Sequence, residues 1–172
     1  MKILAISGSL REKSFNTSIL KTLQLLNSDV EICTSIGKLP FFNPDLDDEN
    51  LEDNSAPLLV REFKKKITLS DVIIFSTPEY AFEISGVLKN ALEWLVSSGV
   101  MDAKKVIVIS ASTSGMGGDK ANEVLCNLLK VLTGKEVSLR LMVDRVNKKI
   151  DDKGKIHDPV LLTDLNRLLS SI

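Results

Sequence analysis

Short apolar runs alternate with longer amphipathic runs along the whole chain, and this alternation is the strongest constraint on its fold. The apolar runs predict strands at 2–7, 72–77 and 105–112, and strands are also predicted at 30–35, where apolar and polar residues alternate, and at 136–143. The amphipathic runs predict helices at 15–27, 57–69, 84–97, 115–133 (after a Gly-rich start) and 158–171. Continuous apolar strands are typical of parallel sheets that are buried on both faces. The order therefore predicts an α/β fold in which helices cover both faces of a five-stranded parallel sheet.

The size and charge of the chain limit the classes of protein to which it can belong. Its 172 residues, 44% of them hydrophobic, suit a single compact domain over 1–172. With 22 basic and 23 acidic residues, the net charge of −1 argues against a nucleic-acid partner. No apolar run approaches the roughly 18 residues of a membrane helix, and the first run is too short for a signal peptide. We therefore expect a cytoplasmic protein with no membrane partner.

Histidine and cysteine, on which many metal sites and catalytic triads depend, are rare in the chain. His157 is the only histidine and lies in a polar stretch, which excludes a multi-histidine metal site and weakens any Ser-His-Asp interpretation. Cys33 and Cys126 are far apart in sequence and lack metal-ligand spacing, so both are expected to be free. We predict no metal site.

The first predicted strand is followed by a hydroxyl-rich loop, "SGSLREKSFNTS" at 7–18. Its polar groups are the hydroxyls of Ser7, Ser9, Ser14, Thr17 and Ser18, the Asn16 amide and the Arg11 guanidinium. Because a helix begins within this loop, free backbone N–H groups and the helix dipole favour an anion there. Neither the P-loop nor the dinucleotide-binding spacing is present. The loop predicts a phosphate site, and the alternative is an ordinary helix cap.

Two further loops follow predicted strands and complete the pattern of a mononucleotide site. "PEYAFEISG" at 78–86 places a proline and Tyr80 directly after a buried strand, and "SASTSGMGG" at 110–118 is small and polar. Ligands of open α/β sheets bind beyond the carboxyl ends of the strands. The first loop would hold a phosphate, and the other two would line a planar ring. Flavin mononucleotide (FMN) matches this arrangement in size and chemistry. The third loop could instead be a flexible turn.

The three loops together resemble the signatures of the NADPH-dependent FMN reductase family, which includes flavodoxin-like quinone and chromate reductases. The resemblance covers residues 1 to about 135 and rests on "SGSLREKSFNTSIL", "TPEYAFEISGVLKNALEW" and "SASTSGMGGDKA". It implies a three-layer flavodoxin-like fold with strand order 2-1-3-4-5 and an FMN cofactor. It also implies a set of cofactor-binding residues: Ser9, Arg11, Ser14, Phe15, Asn16, Thr17, Ser18, Pro78, Glu79, Tyr80, Ala81, Ser112 and Gly115.

The resemblance further implies an enzyme that uses NADPH or NADH as co-substrate and passes hydride to FMN and then to a quinone, a flavin or another small acceptor. Since the cofactor carries this chemistry, no catalytic side chain is predicted. The alternative is a flavodoxin-type electron carrier with a protein partner; such carriers are usually strongly acidic, unlike this chain. The family usually has an Asn followed by a short Gly/Ser turn after the Pro-Glu-Tyr motif, where this chain has Ala81 and Phe82.

Assembly into a homodimer or homotetramer is also implied by the resemblance. The helix predicted at 84–97 supports this expectation if it exposes Trp94 beside Leu88, Leu92 and Leu95. The same four side chains would equally suit a helix that faces the core.

Overall fold

The computed structural model describes residues 1–47 and 56–172, and its centre is a parallel sheet of five strands. These are β1 (Ile3–Ser7), β2 (Val30–Cys33), β3 (Val72–Thr77), β4 (Lys105–Ala111) and β5 (Leu139–Val143). Across the sheet the strands lie in the order β2-β1-β3-β4-β5, and every pairing is parallel. The predicted fold class and strand order are therefore confirmed.

Five helices of the described ranges cover the two faces of this sheet. They are α1 (Phe15–Leu26), α2 (Leu58–Thr68), α3 (Gly86–Glu93), α4 (Asp119–Thr133) and α5 (Pro159–Ser170). Side chains of a strand point alternately to opposite faces, so each strand contributes to two cores. Ile3 and Ala5 of β1 pack with α1 and α5, whereas Leu4 and Ile6 pack with α2, α3 and α4.

Helices α1, α3 and α5 each begin at a residue whose polar side chain accepts from a free backbone N–H group. The Ser14 hydroxyl accepts from Thr17 N over 3.2 Å at the start of α1, and the Asp158 carboxylate accepts from Leu161 N over 2.7 Å at the start of α5. Such caps stabilise a helix by about 1 kcal/mol. Over 1–47 and 56–172, no helix is long and apolar enough to cross a membrane.

The helix predicted at 84–97 is shorter than expected and does not expose its tryptophan. It covers only Gly86–Glu93, and Trp94 is 0% exposed, as part of the core with Leu88, Leu92 and Leu95. The Trp94 indole N–H donates to Pro40 O over 2.9 Å, and its ring meets the Phe42 ring at a centroid distance of 5.1 Å. The expectation of an exposed Trp94 was wrong, because residues 40–42 pack over the indole. It therefore gives no support to an oligomer.

Two segments predicted to be irregular contain local structure. In the long loop expected at 36–55, the described part has short helical turns at Ile36–Lys38 and Pro44–Leu46, while 48–55 lie outside the described residues. The linker expected at 147–157 folds back on itself through a bridge between Ile150 and Ile156. Its Gly154, at φ +81°, lies so close to α1 that an added Cβ would be 2.7 Å from Ser18 Oγ.

Candidate functional site

The strand order creates a crevice where the chain leaves β1 and β3 in opposite directions. β1 is followed by α1 and by β2 on one side, whereas β3 is followed by α3 and by β4 on the other. Ligands of open parallel sheets bind at such a switch point. The loops after β1, β3 and β4 meet at this edge and form an open cleft. Its lining consists of Ser9, Arg11, Ser14, Phe15, Asn16, Pro78, Glu79, Tyr80, Ala111, Ser112, Thr113 and Val146.

The loop after β1 brings hydrogen-bond donors and one cation to the cleft. Within the described ranges, the backbone N–H groups of Phe15 and Asn16 at the start of α1 donate no hydrogen bond. Arg11 is exposed and makes no ion pair with any described residue. Free N–H groups at a helix N-terminus and a nearby guanidinium are donors that suit a phosphate.

Three predicted residues of this loop use their side chains inside the protein. Asn16 is only 4% exposed: its Oδ1 accepts from Ser76 Oγ over 2.9 Å, and its Nδ2 donates to Ala111 O over 3.4 Å. The Thr17 hydroxyl is 2.8 Å from Ser7 Oγ, and the Ser18 hydroxyl donates to Ser14 O. Asn16 reaches the cleft lining, whereas Thr17 and Ser18 do not. These side chains connect α1 to the sheet and to the preceding loop.

The loop after β3 is fixed by a carboxylate that caps a distant helix. Oε2 of Glu79 accepts from the backbone N–H groups of Lys120 and Ala121, over 3.0 and 3.1 Å. The N-cap position of α4 is Gly118, at φ +76°, which has no side chain with which to cap the helix. An added Cβ there would be 3.3 Å from Ser110 Cβ and 3.5 Å from Glu79 Cβ. A side chain at Gly118 would be strained at this φ and tight against Ser110, so α4 has no N-cap side chain of its own and Glu79 supplies the acceptor instead.

Tyr80 follows as a half-exposed residue of the cleft lining and begins a two-residue turn. Ala81 and Phe82 are both exposed and lie outside the lining. Both have positive φ, at +52° and +64°. A left-handed conformation costs about 1–2 kcal/mol for a residue with a Cβ. This turn is therefore strained at two consecutive positions.

The loop after β4 completes the cleft, together with a turn that the sequence did not indicate. Ser112 lines the cleft. Gly115 lies beside it, and a Cβ added to this glycine would be 3.5 Å from the Arg145 guanidinium. Val146 was not predicted as a site residue. It reaches the lining because its backbone N donates to Ser112 O over 3.0 Å and thereby joins the chain after β5 to this loop. Ala111 and Thr113, also unpredicted, belong to the same stretch as Ser112.

An ion pair stabilises the turn that carries Val146. Lys149 Nζ is 2.5 Å from Asp144 Oδ1, and Arg145 lies 3.6 Å from the other carboxylate oxygen. The hydrogen bond from Lys149 lowers the pKa of Asp144 below its usual range. Asp144 is therefore ionised at neutral pH and attracts both cations that flank Val146.

Comparison with known proteins assigns this arrangement to a family. The family model described as NADPH-dependent FMN reductase matches residues 1–148, most of the chain. The protein belongs to this family. The family resemblance of the three loops is thereby confirmed, and so is the expectation of an oxidoreductase that uses FMN and a reduced nicotinamide nucleotide.

Relatives of this FMN reductase family member match over nearly its whole length. An NADPH:quinone oxidoreductase of Arabidopsis thaliana is 30% identical, and the match covers 100% of this chain and 90% of the relative. An NAD(P)H-dependent FMN reductase of Pseudomonas aeruginosa is 28% identical, over 92% and 85%. The solved structure of the flavoenzyme NAD(P)H:(acceptor) oxidoreductase FerB from Paracoccus denitrificans superposes with a TM-score of 0.79, at 28% identity and over 99% and 94% of the two chains.

The donor set of the cleft fits FMN on chemical grounds. The free N–H groups at the start of α1 suit its phosphate. The half-exposed Tyr80 ring and the Ser112 loop, by contrast, suit a flat ring with polar edges. The two halves of the cleft therefore match the two chemical parts of the cofactor.

Proposed function

We propose that this protein transfers two electrons from NADPH or NADH, by way of FMN, to a quinone or a related small acceptor. The overall reaction is NAD(P)H + H⁺ + quinone → NAD(P)⁺ + hydroquinone, in which the nicotinamide is oxidised and the quinone gains two electrons and two protons. When bound, FMN supplies the ability to accept a hydride and pass its electrons on. The observation that carries the proposal is the convergence of the three loops in one cleft at the switch point of the sheet.

The phosphate of FMN is assigned to the loop after β1. Ser9, Ser14 and Arg11 line the cleft there, beside the free N–H groups of Phe15 and Asn16. Thr17 and Ser18 support this binding indirectly: the Thr17 N–H fixes the Ser14 hydroxyl, and the Ser18 hydroxyl donates to Ser14 O. The helix dipole of α1 adds partial positive charge at the same place.

The ring of FMN is assigned to the loops after β3 and β4. Pro78, Glu79 and Tyr80 would contact it from one loop, with the backbone at Ala81, while Ser112 and the backbone at Gly115 would contact it from the other. The Glu79 carboxylate caps α4, so it acts by fixing the loop. No side chain is assigned a proton-transfer role. The residues bind and orient the ring, and their backbone dipoles stabilise charge on it.

Assembly into a homodimer or homotetramer is a prediction that rests on the family resemblance alone, and the cytoplasmic location expected from the sequence also stays a prediction. Sedimentation at micromolar concentration measures the assembly state directly, and a monomer would contradict it.

An anaerobic absorbance experiment tests the proposed reaction. The purified protein should be yellow with one FMN per chain. NADPH should bleach the flavin absorbance, and menadione added afterwards should restore it. A protein that binds FMN but is not bleached by NADPH or NADH would instead be a carrier of the flavodoxin type. A colourless protein that cannot be reconstituted with FMN would rule out both functions.

A further inference from the structure

The strained turn after Tyr80 is a hairpin closed by two backbone hydrogen bonds. Tyr80 N donates to Glu83 O and Glu83 N donates to Tyr80 O, each over 3.0 Å. The two residues between them, Ala81 and Phe82, both have positive φ. Two consecutive positive φ values are the pattern of a type I′ turn, which favours Asn and Gly. This chain has instead two residues for which the conformation is unfavourable.

The flanking residues are tied to the rest of the protein, so the turn cannot relax. On one side, Glu79 accepts from the backbone N–H groups of Lys120 and Ala121 at the start of α4. On the other side, the buried Ser85 hydroxyl donates to Gly8 O in the loop after β1. The loops on either side of the cleft therefore fix both ends of the turn.

The contacts that the Phe82 ring makes in the folded protein do not offset the backbone strain of the turn. The Phe82 side chain is 76% exposed, so burial in the core contributes little to keeping a phenylalanine there. Tyr80, two positions earlier, lines the cleft and is itself 49% exposed. Strained backbone that the surrounding structure holds in place is characteristic of binding and catalytic sites.

We propose that Phe82 is a specificity residue that contacts the aromatic face of the electron acceptor at the rim of the cleft. This inference rests on the proposed function. Seven of the twelve cleft-lining residues are polar or charged: Ser9, Arg11, Ser14, Asn16, Glu79, Ser112 and Thr113. An apolar planar acceptor therefore gains little from most of the lining. A phenyl ring at the rim provides offset or edge-to-face contact with such an acceptor, but not with a small hydrophilic one.

The test compares three variants. Phe82→Gly removes the ring and relieves the positive φ, whereas Phe82→Tyr keeps a ring in the same conformation. Ala103→Gly is the matched control, since Ala103 also has positive φ (+57°) but lies before β4, at the end of the sheet away from the cleft. For each protein we would measure kcat/KM for menadione and for ferricyanide, the rate of flavin reduction by NADPH, the melting temperature and the sedimentation coefficient.

Both glycine variants should melt about 2–4 °C higher, because each removes one strained residue. Phe82→Gly should lose roughly tenfold in kcat/KM for menadione, the size expected from losing about half the burial of a phenyl side chain. Its kcat/KM for ferricyanide and its rate of flavin reduction should not change. Phe82→Tyr and Ala103→Gly should retain the wild-type activity with menadione.

Three outcomes would overturn the inference. Unchanged menadione activity in Phe82→Gly would mean that the ring does not contact the acceptor. A parallel loss with menadione, with ferricyanide and in flavin reduction would mean that Phe82 acts on the flavin. A loss of activity together with dissociation into smaller species would make Phe82 a contact with a second copy of the chain. If wild-type protein transfers electrons from NADPH to no acceptor, the proposed function itself fails, which the wild-type control reveals separately.

Discussion

Glu79 and Lys120 are joined by a hydrogen bond of 3.0 Å, from the Lys120 backbone N to the Glu79 carboxylate. The bond links the loop after β3 to the start of α4, 41 residues later in the sequence. The adjacent Ala121 N–H donates to the same oxygen, so one carboxylate satisfies two N–H groups that the helix itself leaves free. The capping of α4 and the shape of the cleft thus depend on the same side chain.

Replacing Glu79 should therefore destabilise the fold even in protein without FMN. Glu79→Ala should lower the free energy of unfolding by about 1–2 kcal/mol, the range for loss of a charged helix cap. Glu79→Gln keeps an acceptor oxygen and should lose about half as much. Urea unfolding at neutral pH measures both. Glu83→Ala, at an exposed position of the same turn, is the control and should change little; equal losses in the two alanine variants would contradict the capping role.

The buried Asn16 amide should act as a connection between α1 and the sheet. Asn16→Ala removes the acceptor of the Ser76 hydroxyl and should cost about 1–3 kcal/mol. In the double variant with Ser76→Ala, the two losses should be less than additive by about 0.5–1.5 kcal/mol, because both remove the same bond. Unfolding of the FMN-free proteins measures this cycle, with Asn166→Ala on the exposed face of α5 as the control. Strict additivity would show that the bond contributes nothing.

Arg11 should contribute to FMN affinity and little to stability. Its guanidinium is exposed and makes no ion pair with the described residues, so Arg11→Ala should leave the melting temperature within about a degree of the wild-type value. Loss of a charge-assisted contact of about 1.5–3 kcal/mol would weaken FMN binding roughly 10–150-fold. Fluorescence titration of FMN measures the affinity. Arg61→Ala, on α2 and outside the cleft lining, should bind FMN normally; the same affinity in both variants would remove Arg11 from the phosphate site.

The Asp144–Lys149 pair should make stability depend on pH at the acid end. The pKa of Asp144 is lowered in the folded protein by the hydrogen bond from Lys149, so the folded state binds this proton less readily than the unfolded state. The resulting stabilisation is present above the ordinary pKa of an aspartate and is lost as the pH falls through the lowered value.

Melting temperatures of wild type and Asp144→Asn between about pH 2 and 6 would test this. The difference between the two proteins should be largest near pH 6 and should shrink towards the acid end. Asp152→Asn, at an exposed position, should keep the wild-type dependence. A constant difference between wild type and Asp144→Asn across the range would contradict the assignment.

Local patterns in the sequence were sufficient for the elements of the sheet and for most of the cleft. Continuous apolar runs such as 72–77 and 105–112 mark strands buried on both faces, since burial of consecutive side chains is a local property of the chain. The hydroxyls of Ser9 and Ser14 and the glycines near 115–118 are likewise visible without coordinates. The strand order came from the family resemblance, because alternation alone does not fix the order of parallel strands.

Tertiary structure alone decided what individual side chains contact. The Asn16 side chain bonds to Ser76 and Ala111, which are 60 and 95 residues away in the sequence, a contact that the pattern of its own loop does not indicate. Trp94 was expected at the surface, yet its indole donates to Pro40 O in the core. Val146 enters the cleft through a bond to the backbone of Ser112. Periodicity reports which face of an element is buried, whereas these contacts depend on how separate elements pack together, and no local pattern contains that information.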